Sequence, residues 1–435
     1  MKKCCLIIAF CVAAVCVVGS AFRRTSVLIA AEPPSATGVR LAVPGATNEH
    51  VTLAASGRMV AAAWAATPEG GQTDIYTAIS GDEGQTFGRP VRVGTDASVN
   101  AEQPPRIALA PVRSGQPAPE VVVVWTAKAP GGTRLMTTRS RDGGRTFAAA
   151  AVVPGSAAAG NRGWQSLAID ATGHPIVIWL DHRDGAKAAS GHQHHGDMAS
   201  TATAAEESVT RAATSRLYVG STDGSLPVQA LVHGVCYCCK TALAVSPGGA
   251  LVTAWRHVYA GGFRDIAFSR SDDSGRTFST PARISQDGWQ IAGCPEDGPA
   301  IAVDAIGRSH VVWPTLIREN GRETMAVFHA ATKDGRTFSA RTRVPAGDAA
   351  FHPQVAVASN GDLLVAWDEG SSGTRRARLA RGVVDASGQV RFASSGGSFS
   401  EPGSHPAVAA TSTGAVIAWT SMGAGGSEIK VARHP

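Results

Sequence analysis

The chain has 435 residues, a formal net charge of +6, 44% hydrophobic residues and only 17% charged residues. Its Lys and Arg residues form no basic tract, so nucleic acid is not an expected partner. The sequence is rich in Gly, Ala and Val and has few Lys- or Glu-rich helical runs, which predicts a large all-β domain.

The N-terminus has the pattern of a secretory signal. Lys2 and Lys3 precede an apolar run over residues 4–18, and small residues follow at 19–21. We expect residues 1–21 to be a signal peptide, 22–37 a short linker, and the mature protein to be periplasmic or extracellular. The apolar run is shorter than the about 20 residues of a membrane span. No stable span is expected after cleavage, and an uncleaved anchor is the alternative.

A repeat organises the rest of the chain, residues 38–435. Seven apolar segments each end in a tryptophan, and six of them follow a glycine closely, as in "GRMVAAAWAA", "GALVTAWRH" and "GDLLVAWDE". The repeated tryptophans are Trp64, Trp125, Trp179, Trp255, Trp313, Trp367 and Trp419. Their spacing is 52 to 61 residues, except for 76 between the third and fourth, which places an insertion at about 182–215.

A second pattern lies between these tryptophans. The segments "SGDEGQTF", "SRDGGRTF" and "SDDSGRTF" match S-x-D-x-G-x-T-F, "TKDGRTF" is a shortened copy, and "STDGSLP" is a decayed one. Asp and Gly favour a tight turn between two strands. The turn aspartates are Asp82, Asp142, Asp273 and Asp334.

These segments resemble the Asp-box (BNR) repeats of sialidase-like β-propellers. The resemblance implies a single propeller domain of four-stranded antiparallel blades. Seven tryptophan strands predict seven blades, with six as the alternative because sialidases have six. The last repeat has room for only three strands, so we expect an N-terminal strand near residues 38–43 to close the ring.

The resemblance does not extend to the catalytic residues of sialidases. Those enzymes use an arginine triad, a tyrosine–glutamate pair and an acid–base aspartate. Here the Phe-Arg-Ile-Pro motif is missing, and Pro105-Arg106-Ile107 is a loose echo of it. None of the four tyrosines, including Tyr237 and Tyr259, has a recognisable glutamate partner in the sequence.

Three histidines occupy one register at the predicted starts of the innermost strands. His50, His352 and His405 each lie three positions before the first apolar strand residue of blades one, six and seven. A radially repeated sheet brings such positions toward one axis. Imidazole is a preferred ligand of copper and zinc, so the pattern predicts a metal site on the axial face opposite the Asp boxes.

Cysteines mark the starts of blades four and five. Cys236, Cys238 and Cys239 lie in "VHGVCYCCKTALAV", Cys294 lies in the next blade, and the other four cysteines belong to the signal. We expect Cys239 at the register of His352 and His405, with the cysteines and histidines in one cavity. Thiolate ligation is one interpretation. The other, in an oxidising compartment, is a structural disulfide that joins Cys238 or Cys239 to Cys294, with Cys239–Cys294 as the named pair. A vicinal Cys238–Cys239 bridge is a further alternative.

The predicted insertion contains "HQHHGDM", a His-rich tract that indicates metal binding by composition. Its candidate ligands are His192, His194, His195 and Met198, and the methionine favours copper. Further candidates for the same face are Asp181, His182, Arg256, His257, Glu296, Asp297, Asp368 and Glu369.

Three functions fit these patterns. The first is an exported propeller that binds a transition metal at the axial mouth, with copper preferred and zinc second; as an enzyme it would be a metal-dependent oxidoreductase. The second is a sialidase-like glycoside hydrolase or a glycan-binding lectin. The third is an interaction scaffold with a protein partner that the sequence does not identify.

Overall fold

The structure is a computed structural model. It describes residues 38–93, 99, 103–112, 116, 118–185, 202–291, 295–370, 375–393, 397–399, 402–423 and 426–434. The predicted signal and linker lie outside these residues. Within them, no helix is long and apolar enough to cross a bilayer.

The described residues form seven antiparallel sheets, and the first strands of consecutive sheets contact one another around a closed ring. The predicted seven-bladed β-propeller is therefore confirmed. The strands of blades one to four, in chain order, are Ala46–Ser56, Met59–Pro68, Asp74–Ser80 and Val91–Arg92; Arg106–Leu109, Val121–Ala129, Gly132–Ser140 and Ala151–Val152; Arg162–Ile169, Pro175–Asp181, Arg216–Ser221 and Gln229–His233; Ala242–Val245, Leu251–Tyr259, Phe263–Ser271 and Ala282–Arg283.

Blade seven closes the ring with both ends of the domain. The N-terminal strand Val39–Leu41 pairs antiparallel with the C-terminal strand Gly426–His434, as the sequence predicts. The remaining strands are Ala300–Val303, Ser309–Glu319, Arg322–Thr332 and Thr342–Arg343 in blade five; Ala350–Val357, Leu363–Glu369, Arg376–Val384, Val390–Phe392 and Gly397–Ser398 in blade six; Ser404–Ala410 and Ala415–Gly423 in blade seven.

The core lies between neighbouring blades. Each second strand is apolar on both faces because a blade packs on either side of it, and all seven repeated tryptophans are buried. One apolar cluster, for example, joins Ala63 of blade one to Trp125 of blade two. Truncating such a buried tryptophan to alanine costs about 3–5 kcal/mol, so these side chains hold the blades together.

The S-x-D-x-G-x-T-F segments form the turns between third and fourth strands. In one of them the Asp273 carboxylate accepts hydrogen bonds from the Ser271 hydroxyl at 2.7 Å, the Thr277 amide at 2.8 Å and the Thr277 hydroxyl at 2.6 Å. Asp82 and Asp142 make the same contacts in their own turns. The hydrogen bonds from Thr277 are the main reason that the pKa of Asp273 is lowered to about 2. These aspartates are structural.

A bulge interrupts the start of the first strand in four blades. The pairing register shifts after Glu49, Gly163, Phe351 and Ser404. In each bulge one residue that is not glycine has a left-handed backbone, with φ of 59° at His50, 53° at Trp164, 50° at His352 and 52° at His405. A bulge bends the strand and redirects a side chain, and here it does so at the axial end of the blade.

The insertion between the second and third strands of blade three contains the helix Ala202–Ala213. Its Ala212 packs with Cys236, Cys239 and Val258 at the start of blade four. The helix therefore covers the cysteine segment.

Replacing Asp273 with asparagine tests the role of these turns. We expect Asp273→Asn to lower the free energy of unfolding at pH 7 by about 1–2 kcal/mol, because charge-assisted hydrogen bonds are lost. Asp272→Asn is the matched control, because its exposed ion pair with Arg270 contributes little to stability.

Since the folded-state pKa of Asp273 is lowered to about 2, the carboxylate stabilises the fold above about pH 4 and loses that effect as the pH falls toward 2. Denaturant unfolding from pH 7 to 3 should show the gap between wild type and Asp273→Asn narrowing. If Asp273→Asn and Asp272→Asn lower the free energy of unfolding equally at pH 7, the structural role of Asp273 is contradicted.

Candidate functional site

The first strands of all seven blades line a channel on the ring axis, with a cavity of about 200 Å³. Its polar part includes the cationic side chains of Arg106 and Lys240. Burial lowers the pKa of Arg106 to about 10, and its Nε donates to the Gln165 carbonyl at 2.8 Å. One lining residue from each blade, in chain order, is Thr52, Arg106, Ser166, Lys240, Ala300, Gln354 and Ala407.

Three histidines meet at the mouth of this channel, as the sequence predicts. The ring centroids of His352 and His405 are 3.9 Å apart in a stacked arrangement, and those of His50 and His405 are 5.1 Å apart, edge to face. Ligand atoms of His352, His405 and the Asp368 carboxylate all lie within 4.8 Å of one another. We call His50, His352, His405 and Asp368 the mouth cluster.

Side chains of the preceding blade hold the strained backbone of each histidine. The His405 amide donates to Asp368 Oδ2 at 2.7 Å, and the His352 amide donates to Asp297 Oδ2 at 2.6 Å. The His50 amide donates to the Thr420 hydroxyl at 3.3 Å. The imidazoles are thus positioned by contacts between blades as well as by their own strands.

Asp368 also orients an imidazole. His352 Nδ1 lies 2.7 Å from Asp368 Oδ2, and this carboxylate is fully buried. A carboxylate that accepts from Nδ1–H fixes the tautomer with its lone pair on Nε2. Arg375 Nη1 lies 3.6 Å from the other oxygen, Asp368 Oδ1, which keeps a positive charge beside the buried anion.

Two of the mouth histidines, His50 and His405, are poor bases. Burial first, and then the neighbouring His352, lowers the pKa of His50 to about 4. Burial also lowers the pKa of His405 well below its usual value, with His352, His50 and Lys240 acting in the same direction. Both imidazoles are therefore neutral near pH 7, which is the form that binds metal.

Lys240, rather than Cys239, occupies the register of the mouth histidines. In each blade, one residue of the first strand pairs with the residue just before the repeated tryptophan of the second strand. That first-strand residue is Gln354 in blade six, Ala407 in blade seven and Ala242 in blade four. Two positions earlier stand His352, His405 and Lys240. The prediction for Cys239 is wrong by one residue, because four blades carry a bulge there whereas the start of blade four has a different turn.

Lys240 connects three blades. Its ammonium group donates to the Pro353 carbonyl at 2.9 Å and lies 3.2 Å from Asp297 Oδ1. Burial raises the pKa of Asp297, but Lys240 and His352 outweigh it and hold that pKa below its usual value. Asp297 is thus a positioning residue for His352, while its neighbour Glu296 is exposed and has a left-handed backbone.

The equivalent position in blade three is Trp164, which the sequence analysis did not select. Its amide donates to Gln103 Oε1 at 2.8 Å, and its side chain is half-buried. The indication in the sequence was that Trp164 aligns with His50, His352 and His405 at the starts of the first strands. Sequence reasoning passed over it because tryptophan is not a metal ligand.

Two predicted top-face carboxylates have structural roles. Asp181 accepts from the Trp179 indole at 3.0 Å and pairs with the buried Arg162 at 3.0 Å. Glu369 accepts from the Trp367 indole at 3.0 Å and pairs with Arg378. Both anchor a core tryptophan of their own blade, so neither is a candidate for chemistry.

Three further candidates lie apart from the mouth cluster. His257 packs edge to face on Tyr259 with centroids 4.6 Å apart, and burial lowers the pKa of His257 to about 4. Arg256 is buried against Trp289. His182 donates its amide to the Asn161 carbonyl in the loop after blade three's second strand.

The cysteines form a separate cluster. The Sγ atoms of Cys236, Cys238 and Cys239 all lie within 4.8 Å of one another, and none belongs to the mouth cluster. Cys236 and Cys239 are free and buried, whereas Cys238 is disulfide-bonded. The Cys239–Cys294 pairing is therefore wrong, because sequence order alone does not say which of two adjacent side chains faces a given direction. The alternative pairing, Cys238–Cys294, stays a prediction, since Cys294 lies outside the described residues.

The two free thiols, Cys236 and Cys239, differ in how readily they ionise. Burial opposes ionisation of Cys236, but its hydrogen bond with Cys239 and the charges of Arg264 and Arg256 lower its pKa to about 6. Burial and the neighbouring Cys236 raise the pKa of Cys239 well above its usual value. The pair holds one negative charge and one proton near pH 7.

Several predicted site residues lie outside the described residues. They are Cys294, His192, His194, His195 and Met198.

The tyrosines have no sialidase-like arrangement. Tyr76 and Tyr218 stack on the core tryptophans Trp64 and Trp179. The guanidinium of Arg283 lies 4.3 Å from the ring of Tyr259, and burial raises the pKa of Tyr259 to about 12. Tyr237 lies beneath the guanidinium groups of Arg211 and Arg264.

No protein-family model matches the chain, and no curated protein matches it. Among solved structures, it is similar to a protein of unknown function from Dyadobacter fermentans, with 11% identity, a TM-score of 0.47 and coverage of 92% of this chain and 100% of that one. It is also similar to the Hadza microbial sialidase Hz136, with 13% identity, a TM-score of 0.45 and coverage of 83% and 73%. A PL25 ulvan lyase matches with 8% identity, a TM-score of 0.49 and coverage of 90% and 95%. These likenesses concern the propeller fold and carry no argument about chemistry.

Proposed function

We propose that this protein binds a transition metal ion at the mouth of the axial channel, through imidazole nitrogens of His50, His352 and His405. The observation that carries the proposal is the convergence of three histidines from three blades, with ring centroids 3.9 and 5.1 Å apart. The buried Asp368 supports it as the carboxylate partner of His352.

The backbone strain supports a role for the side chains themselves. A residue other than glycine pays about 1–2 kcal/mol in the left-handed region, and glycine would adopt the same φ without that cost. Histidine stands there in three blades, at φ between 50° and 59°. A fold that needed only the bulge would be more stable with glycine, so the imidazoles are retained for what they contact.

Copper is the preferred ion, with zinc second. Imidazole suits both metals, and the affinity of nitrogen ligands for divalent ions peaks at Cu²⁺. The site supplies the neutral imidazoles of His50 and His405. The imidazole of His352 is hydrogen-bonded to the Asp368 carboxylate, which raises the basicity of a ligand and orients it.

Metal titration of the tag-free, mature chain tests this proposal. We expect one equivalent of Cu²⁺ at the mouth cluster and at least about 100-fold weaker binding in His352→Ala/His405→Ala. Asp368→Asn should lower the Cu²⁺ affinity by about 10–100-fold, because a carboxylate that holds a ligand histidine changes metal affinity by that amount. Competition with a calibrated chelator gives the affinities, and electron paramagnetic resonance reports nitrogen ligation.

Two controls separate this site from other histidines. His174→Ala removes a half-exposed imidazole that pairs with Asp223 in another part of blade three, and it should leave the Cu²⁺ affinity and stoichiometry unchanged. His192→Ala/His194→Ala/His195→Ala removes the His-rich tract and should leave the equivalent at the mouth cluster. Equal binding by native protein and His352→Ala/His405→Ala, or no binding by the native protein, overturns the proposal.

A second candidate is binding of an acidic glycan at the same mouth. The observation that favours it is the set of cations there: Arg106, Lys240 and Arg375, with the half-buried Trp164 as a flat apolar surface. Guanidinium and ammonium groups suit carboxylated sugars, and aromatic side chains suit their apolar faces.

Glycan assays test this second candidate. The assays measure turnover of a fluorogenic sialoside and release of unsaturated uronate ends from an acidic polysaccharide. Activity that is lost in Arg375→Ala and kept in the surface variant Arg318→Ala would support glycan binding at the mouth. Absence of both turnover and binding across acidic glycans would rule it out.

We also propose that the chain is exported, from the basic and apolar residues before position 22. N-terminal sequencing of the protein recovered from the periplasm or medium should begin at residue 22. A chain that remains in the cytoplasm contradicts this.

A further inference from the structure

Two buried arginines in blade four have no carboxylate partner. Arg256 and Arg264 are 1% and 0% exposed. Arg256 donates to the carbonyls of Arg264 and Pro314, and Arg264 donates to the Ser208 hydroxyl and, at 2.9 Å, to Cys236 Sγ. No carboxylate of the described part of the chain forms an ion pair with either guanidinium.

The free thiols supply the missing negative charge. An isolated buried charge is expensive, so a guanidinium in such a place requires a counter-ion. The Cys236 Sγ accepts a hydrogen bond from Arg264 at 2.9 Å, and Cys239 lies beside it. Cys236 and Cys239 therefore form a buried dithiol that holds a negative charge against Arg264.

We propose that this dithiol is a second metal site, distinct from the mouth cluster, and that it binds one Cu(I) ion between the Sγ atoms of Cys236 and Cys239. The sulfurs lie within 4.8 Å of each other, close enough for one ion to contact both. Thiolate ligands select Cu(I) among the biological copper states. The inference goes beyond the histidine site and stands whether or not that site binds metal.

Charge balance selects a monovalent ion. When Cu⁺ binds, the Cys239 S–H bond breaks, its proton leaves to solvent, and two Cu–S bonds form with no electron transfer. One positive charge replaces another, so the balance with Arg264 and Arg256 is unchanged. A divalent ion such as Zn²⁺ adds a further positive charge next to two buried guanidinium groups, which opposes its binding.

Cys238 is not a ligand in this arrangement. Its sulfur is disulfide-bonded, and a disulfide sulfur has no thiolate charge. The helix Ala202–Ala213 covers the dithiol through Ser208, which contacts Arg264, and Ala212, which packs on the cysteines. This cover shields the sulfurs from solvent.

The thiol state is checked first. In the unreduced, unfolded protein, mass spectrometry should find two free thiols, Cys236 and Cys239, with Cys238 cross-linked; the only other cysteine of the mature sequence is Cys294. In the native protein both thiols should resist alkylation. A Cys236 or Cys239 that is cross-linked overturns the proposal.

Copper binding is then measured anaerobically on the mature chain, by titrating Cu(I) as its acetonitrile complex against a chromophoric Cu(I) chelator. We expect one Cu(I) with sulfur ligands by X-ray absorption in both the native protein and His352→Ala/His405→Ala. Cys239→Ser should weaken it at least 100-fold while keeping the contact between Cys236 and Arg264. Excess Zn²⁺ should not displace the ion.

The outcomes separate the two sites. Native protein that lacks nitrogen-ligated Cu²⁺ but holds sulfur-ligated Cu(I) refutes only the histidine site. Three results refute the dithiol site: native protein with no sulfur-ligated Cu(I), sulfur-ligated Cu(I) retained at full affinity in Cys239→Ser, or displacement of the ion by excess Zn²⁺. Because the ligand type is read on the native protein, the test holds even if Cys239→Ser fails to fold, which circular dichroism would reveal.

Discussion

The pairing of Val39–Leu41 with the strand Gly426–His434 is the contact on which the rest of the molecule depends. It joins the first and last segments of the domain and so makes blades one and seven neighbours. Residues 50 and 405 are 355 positions apart in the chain, and only a closed ring places their imidazole rings 5.1 Å from each other. The mouth cluster is therefore a product of closure rather than of any local motif.

Closure also explains how a strained backbone is maintained. Each left-handed histidine is tied by its amide to a side chain of the preceding blade: Asp297, Asp368 or Thr420. An acceptor on a neighbouring rigid sheet can hold a conformation that costs about 1–2 kcal/mol, because moving it would require moving a packed blade. The propeller thus converts packing between its blades into fixed positions for three imidazoles.

The large features of this fold follow from sequence pattern because they repeat. The seven tryptophan strands, the turn at Asp273 and the closing strand near residue 39 each have a local signature of apolar period, turn residue or spacing. The convergence of His50, His352 and His405 also followed, since equal registers in a radial repeat point to one axis. Blade number, too, came from counting rather than from resemblance, which favoured six.

What the sequence did not reveal depends on side-chain direction. Cys239 was placed one residue out of register and paired with Cys294, although the side chain is free and Lys240 takes the mouth position. Asp181 and Glu369 were candidates for the functional face, but each accepts from a tryptophan indole. Trp164 and Arg264 carried no motif at all, because their significance lies in contacts with residues far along the chain.

The two clusters differ in the electrostatics that surround them, and the different ions that we propose for them rest on this difference. At the mouth, burial keeps the imidazoles of His50 and His405 neutral, and a buried carboxylate, Asp368, lies behind them, so an added cation meets neutral donors and an anion. In blade four, two guanidinium groups already face the thiols. A divalent ion is favoured in the first setting and opposed in the second, whereas a monovalent soft ion can replace a thiol proton without changing the charge. One element in two oxidation states would satisfy both proposed sites, and this is why we propose copper rather than zinc.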